Sequence, residues 1–232
     1  MRIKRITKRH IQWFLDAAVQ DYVPLFLLEQ PNQLEGEVVN FPRHNFSEDE
    51  ILRTLEFLFQ KGYIEVVDHD EQPQDLPAVE AMLGRNLSPE NMFSLGKYYK
   101  LSPLGAQYWE EIAKPDWSKF HTHLQGVHHN RELRASRSHI AWVIESVSPS
   151  VIEQVMKLPP LLRPMLPGTD RWQELRPWRA TYWKTFPLGY KVTISCVMLD
   201  ESRHRGEKLL TREVKKQFDD LYSRRWYRSP WH

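Results

Sequence analysis

A chain of 232 residues, 41% apolar, 12% aromatic and 27% charged, is long enough for one large domain or two small ones at roughly 100–200 residues each. Nine glycines and 16 prolines without a fixed period exclude a collagen-like repeat. With a mean hydropathy of −0.59, no apolar run comes near the roughly 18 residues of a membrane span, so no transmembrane helix is expected. The lone cysteine, Cys196, excludes an intramolecular disulfide framework and, with a basic opening that no apolar stretch follows, sets the expectation of a leaderless cytoplasmic protein.

The small net charge of +2 conceals two oppositely charged halves. Residues 1–113 carry 11 Lys/Arg against 18 Asp/Glu, a net of −7, whereas residues 114–232 carry 21 against 12, a net of +9. Pro115, in Lys114-Pro115-Asp116, would stop a helix at that boundary. Two domains, 1–113 and 114–232, are therefore expected.

In the first half, Ile11, Phe14, Leu15, Ala18, Val19, Tyr22 and Phe26 recur at helical spacing and predict one amphipathic helix that Pro24 ends or kinks. Residues 29–45 hold Pro31, Asn32, Gly36 and Pro42 and read as a loop with a short strand at 37–39. Ser47 stands three residues before Glu50, the spacing of a capping box. The helix it starts buries Ile51, Leu52, Leu55, Leu58 and Phe59, and Gly62 suits the left-handed position after its end. Tyr63–Val67, aromatic and β-branched, reads as a strand. A polar, proline-broken stretch follows, with a short helix around 77–83 and a Ser88-Pro89 helix start. A strand at Tyr98–Leu101 then runs into a second Ser-Pro start, Ser102-Pro103, leading Leu104, Tyr108, Trp109 and Ile112.

The runs Leu58-Phe59-Gln60-Lys61-Gly62-Tyr63-Ile64 and Tyr98-Tyr99-Lys100-Leu101-Ser102-Pro103-Leu104-Gly105 place the marks L…G-Y-I and Y-x-L-S-x-x-G in order. In this, residues of about 7–113 resemble the winged-helix superfamily. The string from Tyr98 to Trp109-Glu110 is similar to uncharacterised bacterial proteins, which bring no known activity with them. The resemblance implies a helix, a two-stranded wing and a closing helix, with duplex DNA as the usual ligand. The 30 residues between Val67 and Tyr98 depart from a short wing hairpin. Either the wing carries an inserted helical segment or the strands pair differently.

Charge argues against DNA at this helix. Ser47–Lys61 carries Glu48, Asp49, Glu50 and Glu56 against Arg53 and Lys61, a net of −2, and the wing adds Glu65, Asp68, Asp70 and Glu71. Phosphates would be repelled from such a surface. Arg2, Lys4, Arg5, Lys8 and Arg9 compensate only in part. Since fold does not fix function, the expected use of this domain is as a scaffold or protein-binding module.

In the second half, Trp117, Phe120, His121 and Leu124 suggest a short amphipathic helix, and His139–Ser146 a strand buried on both faces. Ser148-Pro149 is a third Ser-Pro helix start, placing Val151, Ile152, Val155 and Leu158 on one face. Pro159, Pro160, Pro164, Pro167 and Gly168 make a constrained loop. Residues 180–186 and 190–199 read as two antiparallel strands around Pro187 and Gly189, with Tyr190, Val192, Ile194, Cys196 and Met198 sharing one face. Leu210, Val214, Phe218 and Leu221 form a helical stripe before a basic, aromatic tail. The fold class expected is α+β: an N-terminal winged-helix-like domain with an inserted helical segment in its wing, then a small α+β domain with an antiparallel sheet.

Chemistry-bearing motifs are sparse. The sequence has no phosphate-binding glycine loop, no G-x-S-x-G elbow and no H-E-x-x-H. Cys196, on the apolar face of a strand, reads as a buried structural thiol. His121, His123, His128 and His129 have no cysteine to join them, and His121 and His123 would point to different sides of a helix. Asp68, Asp70 and Glu71 lack the fixed glycine and glutamate of a calcium loop and read as a solvated turn. No metal and no cofactor is expected.

The segment Trp172–Lys184 interleaves aromatic and cationic residues, a pattern that suits single-stranded nucleic acid. Read as a strand, it would put Trp178, Ala180 and Tyr182 on one side and Arg179, Thr181 and Trp183 on the other. Trp and Arg are also the preferred anchors of protein interfaces, so Trp172, Arg176, Trp178, Arg179 and Trp183 are the interface candidates. The expected function is a non-enzymatic protein-binding or regulatory protein of unknown partner. The alternative is a nucleic-acid-binding transcriptional regulator that uses the basic C-terminal half. No membrane partner is expected.

Overall fold

The computed structural model describes residues 6–25, 28, 45–80, 96–126, 139–157, 165–197, 226 and 227. Among them the chain is α+β, with every strand pairing antiparallel. The strand expected at 37–39, the Ser88-Pro89 helix start and the Leu210–Leu221 stripe lie outside these residues. The chain forms two compact units, one of residues 1–114 with 181–183 and 228–232, the other of residues 115–180 with 184–227. Among the described residues, no helix is long and apolar enough to cross a membrane.

The first unit opens with α1, Lys8–Ala17. Thr7 caps it: the His10 N–H donates to Thr7 Oγ1, and the Thr7 N–H donates to His10 Nδ1 at 3.2 Å. The apolar periodicity that predicts a longer helix is real as burial, since Ala18 and Val19 are fully buried. The backbone nevertheless leaves the helix at Ala18. It re-forms as a short strand β1, Val23–Pro24, at the edge of a sheet, where proline's missing donor costs nothing.

Helix α2, Glu48–Gln60, carries the capping box: the Ser47 N–H donates to Glu50 Oε2 at 2.9 Å and the Glu50 N–H to Ser47 Oγ at 3.4 Å. It buries Ile51, Thr54, Leu55 and Leu58, while Leu52 and Phe59 are half-buried. Gly62, at φ +68°, turns the chain out of the helix, and the Tyr63 N–H returns to the Leu58 carbonyl at 2.9 Å.

Strands β2, Ile64–Asp68, and β3, Lys97–Leu101, pair in register from Ile64↔Leu101 to Asp68↔Lys97, with a five-residue helix α3, Leu76–Glu80, between them in sequence. β1 adds to the other side of β3, giving the order β1-β3-β2. Helix α4, Pro103–Ala113, starts at Ser102, whose hydroxyl accepts the Gly105 N–H at 2.9 Å and donates to the Gly62 carbonyl. Gly105 is needed here because a Cβ would overlap the Tyr63 carbonyl oxygen. The core gathers Trp13, Phe14, Tyr99 and Trp109, all fully buried. Its polar tips are satisfied, with Trp109 Nε1 donating to Asp16 Oδ1 at 2.8 Å and the Tyr99 hydroxyl to the Phe14 carbonyl at 3.1 Å.

The second unit corrects two expectations. The helix expected through Trp117–Leu124 is a single 3-10 turn, Trp117–Lys119, followed by strand β4, His121–Gly126. Its ladder with β5, His139–Ser146, supplies main-chain partners that three apolar residues and a histidine at helical spacing could not foretell. The hairpin expected between 180–186 and 190–199 is also replaced. A two-stranded ribbon joins β7, Trp178–Arg179, to β8, Thr185–Phe186. β9, Gly189–Val197, instead pairs with β5 on one side and β6, Arg171–Leu175, on the other.

The resulting sheet runs β4-β5-β9-β6. One face carries Trp142, Ile144, Val192, Ile194 and Cys196, packed against Ile152 and Val155 of helix α5, Pro149–Lys157. Burying such side chains contributes roughly 1.5–3 kcal/mol each.

Candidate interaction surface

The five sequence candidates stand in different settings, four of them in the second unit and Trp183 in the first. Trp172 sits on β6 and is 43% exposed. Arg176 is exposed just beyond that strand and donates from Nε and Nη2 to Glu174 Oε2 at 3.1 and 2.9 Å. Arg179, on β7, is exposed as well.

Trp178 is a core residue. It is 2% exposed, its Nε1 donates to Glu145 Oε2 at 2.9 Å, and its ring lies 6.2 Å from Phe120 and 6.0 Å from Phe186 between centroids. Around it Trp117 meets Phe120, Phe186 and Trp226, and Lys184 Nζ lies 5.3 Å from the Trp117 centroid, within cation–π range.

Trp183 is half-buried in the first unit. Its Nε1 donates to the Val19 carbonyl at 2.8 Å, and its ring meets Trp109 edge-on at 5.9 Å. The strand expected to alternate Trp178, Ala180 and Tyr182 against Arg179, Thr181 and Trp183 ends at Arg179. Past it, the Ala180 N–H bonds the Lys184 carbonyl at 2.9 Å and closes a loop whose tip, 181–183, belongs to the first unit.

A strand period of two also changes the histidines. On β4, His121 and His123 share one face, with ring centroids 6.3 Å apart. Burial pushes both imidazoles below their ordinary range. His123 falls to about 4, with the neighbouring His121 adding to the effect. Both rings are therefore neutral at pH 7. His128 and His129 lie outside the described residues.

At the β2 turn, Asp68, His69 and Asp70 bring ligand-type atoms within 4.8 Å of one another. Asp68 is already engaged by the turn. Its Oδ1 accepts the N–H groups of Asp70 and Gln72 at 3.0 and 2.9 Å, and its Oδ2 accepts from Gln74 Nε2 at 3.0 Å. Hydrogen bonding of this kind is what a carboxylate does in an Asx-type turn.

Cys196 is 1% exposed on the packed face of β9. On α2, Glu48, Asp49 and Glu56 are exposed, and Arg53 is paired with Asp49 one turn away. What sequence reasoning missed is the position of β6 at the end of its sheet, which depends on the pairing of β9 with β5. No family model, no curated protein and no solved structure matches the chain.

Proposed function

We propose that this chain is a non-enzymatic protein-binding or regulatory protein whose first unit is a winged-helix-like scaffold rather than a reader of DNA. Support for the fold-level part is the succession of α2, the β2–β3 hairpin and the closing helix α4, with α3 inserted within the wing. The observation that carries the functional part is the solvent face of α2. Glu48, Asp49 and Glu56 stand exposed on it, while the one arginine of the helix is spent on Asp49. A helix meant for a groove presents cations to phosphate. Trp172 and Arg179 in the second unit supply exposed anchors of the kind that protein interfaces use. A buried, lone Cys196 suits a reducing cytoplasm.

The test is a titration of the full chain against mixed-sequence duplex DNA, single-stranded DNA and RNA at two salt concentrations. The expected result is no binding to any of them at physiological salt. Binding that weakens steeply with salt, and is lost on Arg179→Glu, would replace this reading with the nucleic-acid regulator acting through the basic residues 114–232.

A further inference from the structure

β6 is an open edge. Among the described residues it pairs with β9 alone, and residues 171–174 are exposed. Such an edge offers a row of main-chain N–H and C=O groups, which folded proteins usually blunt with charged side chains, lysine above all, with proline or with a bulge. Arg171-Trp172-Gln173-Glu174-Leu175 carries one charge of each sign, Arg171 and Glu174, but neither lysine nor proline, and its register with β9 runs without a bulge. Trp172 projects from it at 43% exposure.

We propose that this edge joins two copies of the chain, β6 pairing antiparallel with β6 of a second copy about a two-fold axis at Gln173. The register follows from geometry and charge. Adjacent antiparallel copies are related by a two-fold axis perpendicular to the sheet, so one residue must face its own counterpart. With Gln173 on the axis, Asp170 stands opposite Arg176 of the second copy, and Arg176 opposite the second copy's Asp170. Both residues are exposed at the two ends of β6. The Arg176 guanidinium uses Nε and Nη2 on Glu174, and its Nη1 group has further N–H donors for the second carboxylate. Gln173 meets Gln173 amide to amide, and Trp172 has Arg176 of the second copy on its diagonal, within reach of a cation–π contact.

Neighbouring registers are worse. An axis at Trp172 sets Asp170 against Glu174 twice, and an axis at Glu174 sets that carboxylate against itself. Like charges directly opposed destabilise strand pairing. The pairing shares Trp172 with the interface proposed above, but its readout, the mass of the full chain, is separate from the nucleic-acid titration that tests that reading.

The experiment measures the mass of the full chain in solution across a concentration series, together with three variants. In Gln173→Cys, opposed Cα atoms across the axis lie about 4.5–5.5 Å apart, which a disulfide can close. Mild oxidation should then give a covalent dimer, whereas Glu153→Cys, exposed on α5, should not. Asp170→Arg should weaken association about tenfold or more without changing the far-ultraviolet spectrum. The exchange Asp170→Arg with Arg176→Asp should restore it. A chain that stays monomeric throughout the series, a dimer that Gln173→Cys fails to link, or one that Asp170→Arg leaves as tight as before, overturns the proposal.

Discussion

The Tyr182 hydroxyl donates to the Ala18 carbonyl at 2.8 Å, and the same oxygen accepts the Leu101 N–H at 2.6 Å. One phenol thus ties the end of α1 to the end of β3 inside the first unit, although Tyr182 lies far along the chain from both. Its ring also meets Tyr22 edge-on at 5.0 Å, and burial raises its pKa, so it remains a donor throughout the ordinary pH range. Tyr182→Phe keeps the ring and strands two main-chain groups. The expected loss is about 1–3 kcal/mol, read as a lower midpoint in urea with an unchanged slope. A midpoint equal to that of the parent chain would show that water replaces the phenol at no cost.

Ser47→Ala removes one half of the capping box on α2, which is formed by the two N–H bonds between Ser47 and Glu50. The expected cost is about 1 kcal/mol, which should appear as a lower melting temperature of the full chain. Ser47→Asp, which keeps an acceptor at the cap, should recover most of it.

Acid should destabilise the fold through the β4 histidines. His123 binds its proton near pH 4 when folded and near 6.5 when unfolded, so the unfolded state holds more protons between those values. Stability is therefore full above about pH 6.5, declines as the pH falls through that window, and levels off near 4. For His123 alone the decline is about 3 kcal/mol, and His121, lowered by the same cause, adds to it. Urea midpoints taken at several pH values should fall less steeply in His123→Gln than in the parent chain. Equal slopes would mean that His123 is solvated in the folded state.

Cys196 should be nearly inert to a thiol reagent in the native protein and react at once in denaturant, since it is 1% exposed. Its β9 neighbours on the same face, Val192 and Ile194, line the core with it. Rapid native labelling would mean that β9 presents its other face to α5.

Local signals in the sequence determined much of this protein. Ser47 with Glu50, and Ser102 with Pro103, mark helix starts because a cap is satisfied within three residues. Gly62 marks a helix end because only the local backbone decides its left-handed turn. β2, β3, β5 and β9 were legible from β-branched and aromatic runs. The burial of Cys196 followed from period-two alternation along β9, and the acidic face of α2 followed from composition alone.

Tertiary structure decided the rest, wherever a segment's hydrogen bonds are closed by residues remote in sequence. Trp117, Phe120, His121 and Leu124 fit a helical spacing, yet β4 forms because β5 offers a ladder along its whole length. β9 has a turn just before it but takes β5 and β6 as partners, which leaves β6 as the outer strand. Trp178 and Trp183 look alike in a row of aromatic and basic residues. One is buried against Phe120 and Phe186, and the other packs with Trp109 in the first unit, because the chain leaves its ribbon after Arg179. Spacing reports which side chains avoid water. Which partner takes them out of it is set by pairings that no window of a few residues contains.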